Sequence, residues 1–239
     1  MIFNKAGKFH NIDFNLNGVR FECVSRYKYL GVYFCLSGSF TYAQEDLYNK
    51  SLKAYFKFSK EFLSLKSNIH IGMHVFDHTI KPILLYGCEI WDSFNPFTSK
   101  FRKGLDLVDL EQIYSKLYSE KMHQKFCKYI LGVHKKATNL AVLSELGRHP
   151  LYFNIVKSML SYYLRLEKTG STFPLLNDAY RMKIITYHND NTKKSSWYSS
   201  IKFVLDKVSS LLNVDSSKIN GERLKDFFAK DWQKKTKRK

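Results

Sequence analysis

Arg26, Lys28 and the tyrosines at 27, 29 and 33 crowd into one short stretch around Gly31. Lysines and tyrosine hydroxyls can hold a phosphate–sugar backbone, and a glycine lets a strand approach that backbone closely. Further along, Lys50, Lys53, Lys57 and Lys60 recur every three or four residues, a spacing that lines them along one face of a helix. A stripe of four lysines is often no more than solvated cover. Led into by a cationic, aromatic strand, it has the makings of a groove that tracks a nucleic-acid backbone.

Other chemistries find less support. Phosphoryl transfer by two metals needs acidic groups a few ångströms apart. The sequence contains no Asp-Asp pair, Glu45-Asp46 sits where a helix should start, and Asp106, Asp109 and Glu111 fan around a predicted helix. His70, His74 and His78 fall at four-residue intervals beside Asp77, which would place three imidazoles on one helix face. The stretch lacks the Glu of a zinc-protease motif, so surface or partly buried histidines are the plainer expectation. No nucleophile elbow, phosphate-binding loop or dinucleotide fingerprint is present. The four cysteines (Cys23, Cys35, Cys88 and Cys127) form no CxxC pair, which argues against a zinc ribbon and for buried thiols in a reducing compartment. No catalytic residue, metal site or cofactor is expected in this chain.

The elements that must carry the basic groups can be read from periodicity. Phe9, Ile12, Phe14 and Leu16 lead into Asn17-Gly18, after which Val19, Phe21 and Cys23 alternate with polar residues, a hairpin pattern. Tyr27 to Phe34 reads as one further strand, closed by Ser37-Gly38-Ser39. Beyond that point the apolar spacing turns helical. A helix capped by Ser39 or Thr41 carries Ala43, Leu47, Leu52, Tyr55, Phe56, Phe62 and Leu63, and a second runs about Ile71–Trp91, kinked or restarted at Pro82. A third spans about Leu105–Leu131 up to Gly132, and a short one leads from Thr138 or Asn139 to Leu146. Leu151–Glu167, Pro174–Tyr187, Ser196–Leu212 and Glu222–Lys234 follow, with Asn189-Asp190-Asn191-Thr192 as a hinge. Tyr86 and Trp91 are expected in the core. The fold class is therefore mainly α with a small N-terminal antiparallel β element, an α+β chain in which a helical bundle follows a β hairpin. Residues 1–40 form the strands, 41–150 the first helical region, and 151–239 a helical linker with a basic tail. So small a β element, with open edges, suggests that the chain begins within a larger fold.

Charge points to the partner. The 239 residues hold 39 Lys+Arg against 21 Asp+Glu, a formal net charge of +18. The excess is +3 over residues 1–40, +5 over 41–150 and +10 over 151–239, ending in Lys234, Lys235, Lys237, Arg238 and Lys239. Such a field attracts polyanions, so RNA or DNA is the expected partner rather than a small molecule. No run reaches the roughly 18 apolar residues of a membrane span, and Lys5 and Lys8 interrupt any leader, so an intracellular protein of the nucleus or cytoplasm is expected.

Several segments, taken in order, resemble the reverse transcriptases of LINE-type (non-LTR) retrotransposons. Tyr27-Lys28-Tyr29-Leu30-Gly31-Val32 is similar to their "YLG" primer-grip strand, and Pro82-Ile83-Leu84-Leu85-Tyr86-Gly87-Cys88-Glu89-Ile90-Trp91 to a helix of the thumb. Phe126–Val133, Ala137–Val142 and Glu145–Leu151 resemble a block after the thumb, and Met1–Lys5 a strand closing the palm. Order and spacing agree over about residues 1–165, and residues 166–239 fit loosely. The resemblance implies a primer-grip-like hairpin at Tyr27, Lys28, Tyr29, Leu30 and Gly31, and helices that hold template–primer duplex through phosphate contacts. The family's [YF]xDD motif, whose aspartates bind magnesium, does not occur here. The expectation is a thumb and primer-grip piece of an RNA-directed DNA polymerase, inactive alone. A helical protein–protein module, or a remnant of a decayed element, is the alternative.

Overall fold

A computed structural model describes residues 14–21, 24–61, 68–91, 116–169 and 173–189, with positions 197–198, 201–202, 205–206 and 209. The expected strand at Met1–Phe3, the first part of the helix expected from Leu105, the helix at Glu222–Lys234 and the basic tail lie outside the described residues.

The chain is mainly α-helical, with a small N-terminal antiparallel β element. Strands β1 (Phe14–Leu16) and β2 (Val19–Phe21) pair with Leu16 opposite Val19, leaving Asn17-Gly18 as a two-residue loop. Strands β3 (Arg26–Tyr29) and β4 (Val32–Cys35) form a second hairpin, with Tyr29 opposite Val32 and Leu30-Gly31 as its loop. The run read as one strand from Tyr27 to Phe34 is thus two. Its turn escapes a pattern reading because leucine is not a turn residue, yet Leu30 takes φ 45° and Gly31 φ 84°. Positive φ at both loop residues matches the twist of the flanking strands.

Helix α1 (Thr41–Glu61) starts where Thr41 donates its backbone N–H to the Ser39 hydroxyl, and buries Ala43, Leu47, Tyr55 and Phe58. Helix α2 (Ile69–Val75) is capped by Asn68, whose side chain accepts from the Ile71 N–H. It passes through a π-helical turn, Phe76–Ile80, into α3 (Lys81–Leu84). The helix expected across Ile71–Trp91 breaks at Leu85-Tyr86-Gly87, not at Pro82, before α4 (Cys88–Trp91). Proline has no N–H to give, and it sits here in the first turn after the wider π turn, where that loss is tolerated. The reversal falls to Gly87 at φ 69°.

Helix α5 (Tyr118–Leu131) starts only after Leu117, whose extended backbone interrupts the helix expected over Leu105–Leu131, and it ends at Gly132 in the left-handed conformation, as its sequence predicts. Helices α6 (Asn139–Glu145), α7 (Tyr152–Thr169) and α8 (Pro174–Asn189) complete the order. Helix α1 packs on α3 and α5, α4 on α7, and α8 on α7. One core links these elements, with Phe76, Ile80, Leu84, Met122, Phe126, Tyr152, Ile155, Met159 and Ile201 at its centre. Two polar links brace it. Arg148 donates two hydrogen bonds of 2.6 Å to the Asp77 carboxylate, and the Tyr152 N–H donates to Glu120 Oε1 at 2.9 Å. Burial alone would raise the Asp77 pKa, but Arg148 and Lys81 outweigh it and hold it below the usual carboxylate range. Among the described residues, no helix is long and apolar enough to cross a membrane.

Candidate nucleic-acid interface

Alternation along β3 sorts the candidate residues onto opposite faces. Arg26 and Lys28 share one face with Tyr33, which lies directly across from Lys28. That face meets the start of α1. The Arg26 guanidinium lies 4.1 Å from the centre of the Tyr42 ring, the Lys28 ammonium 5.0 Å from Tyr33, and the two tyrosines pack edge to face at 5.0 Å. A ring face therefore fixes the position of each cation.

Tyr42 also opens the lysine stripe. On a helix of 3.6 residues per turn, Tyr42, Asp46, Lys50, Lys53, Lys57 and Lys60 fall on one side of α1, away from its buried face. Lys50 is ion-paired with Asp46, and that hydrogen bond is the main reason its ammonium pKa is pushed up. Lys53, Lys57 and Lys60 are exposed and pair with no described acid. The strand cations lie at the head of the helix lysines, and the stretch of α1 from Tyr42 to Lys60 is about 27 Å long at 1.5 Å per residue.

Tyr27 and Tyr29 point from the other face of β3, at 54% and 56% exposure, and Leu30 stands at the tip at 74%. The five-residue candidate set is therefore divided by the hairpin and does not form a single row. What holds the hairpin in place is the α3–α4 turn. The Tyr86 hydroxyl donates to the Leu30 carbonyl at 2.8 Å, and a methyl group built on Gly31 would sit 3.1 Å from the Tyr86 ring. On its other side Gly87 faces Val32, where a methyl group would come within 3.3 Å of the valine. Trp91 donates its ring N–H to the Tyr86 carbonyl at 2.6 Å. Trp91 is buried as expected, at 2% exposure, but Tyr86 is not a core residue, being 51% exposed. Its ring lies over the hairpin because Gly31 leaves room for it. Tyr42 and Tyr86 are the residues that sequence reading missed. Tyr42 carried a faint signal, two helical turns ahead of Lys50; Tyr86 stood in the segment that resembles a thumb helix but was expected in the core.

The other candidate chemistries resolve into structure. His70, His74 and His78 are exposed, and the last two stack on each other at 4.0 Å. Among the described residues, no three metal-ligating groups come together. His123 and Cys127 lie four residues apart on α5, next to Glu120, and all three are buried. Burial works against the charged imidazole, but the Cys127 sulfur and the Glu120 carboxylate raise its pKa to about 9. All three are sealed from solvent. No family model matches the chain, and neither a curated protein nor a solved structure does.

Proposed function

We propose that this chain is the primer-grip and thumb region of a LINE-type reverse transcriptase, holding nucleic acid by its phosphates and carrying out no phosphoryl transfer itself. The observation that carries the reading is the contact between Tyr86 and Leu30. Two of the segments that carry the resemblance, around Tyr29-Leu30-Gly31 and around Leu85-Tyr86-Gly87, lie far apart in sequence and fit against each other through their glycines. The hairpin so held presents Arg26 and Lys28 at the head of the α1 lysine stripe. In this arrangement the hairpin seats one end of a strand, and the stripe follows its backbone. The 239 residues contain no Asp-Asp pair to bind the magnesium ions of polymerisation.

The test is binding of a labelled primer–template to the full chain between 50 and 200 mM salt. With Arg26, Lys28, Lys53, Lys57 and Lys60 on phosphates, the slope of log affinity against log salt should be on the order of −4. A flat response, or no binding at low salt, overturns the proposal; so does extension of the primer by the purified chain.

A second reading, a helical protein-interaction module, is favoured by one observation. Leu175, Met182 and Ile185 on α8 are 88%, 70% and 57% exposed and spaced for one helix face. A co-purifying protein that resists nuclease and is lost in Met182→Lys would favour it.

A further inference from the structure

A grip built on Arg26 and Lys28 uses one face of β3, and Tyr27 and Tyr29 lie on the other. Tyr27 and Tyr29 are each more than half exposed, beside Phe34 and Val32 across the hairpin, and neither makes a ring–ring contact or a side-chain hydrogen bond with a described residue. Strand alternation puts them on the same face, about 6.6 Å apart along the chain. Beyond them the strand reaches Leu30, a leucine held at φ 45° with 74% of its surface in solvent. The sheet has two strands, so the outer edge of β3 is unpaired among the described residues, with rings on one side of it and the Arg26 and Lys28 cations on the other.

We propose that Tyr27 and Tyr29 are a stacking platform for two successive unpaired bases, so that the hairpin takes a single-stranded segment of nucleic acid rather than duplex. This rests on the phosphate-grip reading and adds a base contact to it. A strand laid along the open edge has its phosphates within reach of Arg26 and Lys28 and its bases over the tyrosine rings. In duplex, base faces are covered by neighbours about 3.4 Å away on the same strand. The tyrosine spacing is close to twice that rise, so only a splayed, unpaired strand can offer one base face to each ring. Stacking of this kind tolerates any base, because every base has a π face.

The experiment compares a labelled twelve-nucleotide oligo-dT with a base-free phosphodiester oligomer of the same length and charge, both with the full chain. Wild-type protein should bind the base-bearing oligomer on the order of thirtyfold more tightly, from two stacked bases. Tyr27→Leu/Tyr29→Leu should erase that preference with the salt slope unchanged, and Tyr27→Phe/Tyr29→Phe should keep it. Equal binding of the two oligomers by wild type, on a steep salt slope, overturns the platform while leaving the phosphate grip standing. Absence of salt-dependent binding to either oligomer overturns both. Loss of the preference in the phenylalanine variant also overturns it, since a hydroxyl contact would then be responsible. The wild-type comparison needs no substitution, so a variant that fails to fold does not leave the matter open.

Discussion

The two hairpins share a backbone plan and differ in what enforces it. Both have a two-residue loop with positive φ at each position, 52° and 79° at Asn17-Gly18 and 45° and 84° at Leu30-Gly31. In the first, asparagine and glycine suit the left-handed region by themselves, and a methyl group on Gly18 would meet nothing within 4 Å. In the second, leucine costs about 1 kcal/mol in that region, and the turn is clasped by Tyr86 and seated on Gly87. One turn is specified locally. The other is imposed by the helices it rests on, and it bears the residues proposed to touch nucleic acid. Strain held by surrounding structure is a common mark of a working site.

The largest expected effect comes from removing the seat. Trp91 is buried and hydrogen-bonded to the Tyr86 carbonyl. Trp91→Ala should cost about 3–5 kcal/mol of global stability, read as a lower urea midpoint. Hydrogen exchange should rise across β3–β4 more than across β1–β2. An equal rise in both hairpins would mean that the second depends on the helices no more than the first.

A matched pair of glycine substitutions sharpens the contrast. Gly18→Ala places a side chain at positive φ in open space and should cost about 1 kcal/mol. Gly31→Ala pays the same backbone cost and also meets the Tyr86 ring at 3.1 Å, adding about 1–2 kcal/mol of steric strain. Equal shifts in the urea midpoint would refute the clasp. A smaller effect is expected from Tyr86→Phe, which removes the hydroxyl from the Leu30 carbonyl. A loss of about 0.5–1.5 kcal/mol should be confined to the second hairpin, again visible by hydrogen exchange.

The same contrast explains what could be read from sequence. The Asn17-Gly18 turn, the Gly132 helix stop and the lysine stripe of α1 each follow from residues close in the chain, and each was legible. The Leu30-Gly31 turn was not, because its enforcing contact comes from Tyr86, 56 residues away. Nor was the division of Arg26 and Lys28 from Tyr27 and Tyr29, since a run read as one unbroken strand gives no sense of which face meets α1. The joining of strand cations to helix lysines was expected from their succession in the chain, but the part played by Tyr42 appears only once β4 packs against α1. In each case the missing information is a long-range contact that leaves no periodic trace.

The subtlest prediction exchanges the turn residues. Leu30→Asn gives the second hairpin the turn chemistry of the first and keeps the backbone carbonyl that Tyr86 holds. It should stabilise the protein by about 0.5–1 kcal/mol, whereas Asn17→Leu should destabilise the first hairpin by about as much. If Leu30 is there for the fold alone, the stabilised variant should bind oligo-dT as wild type does. If the strained leucine is kept for its exposed apolar surface beside Tyr29, the variant should be more stable and bind less tightly at an unchanged salt slope. Stability and binding would then move in opposite directions through one side chain. A residue that only shapes the hairpin has no reason to produce that pairing, because a better-formed turn would hold Lys28 and the tyrosines at least as well.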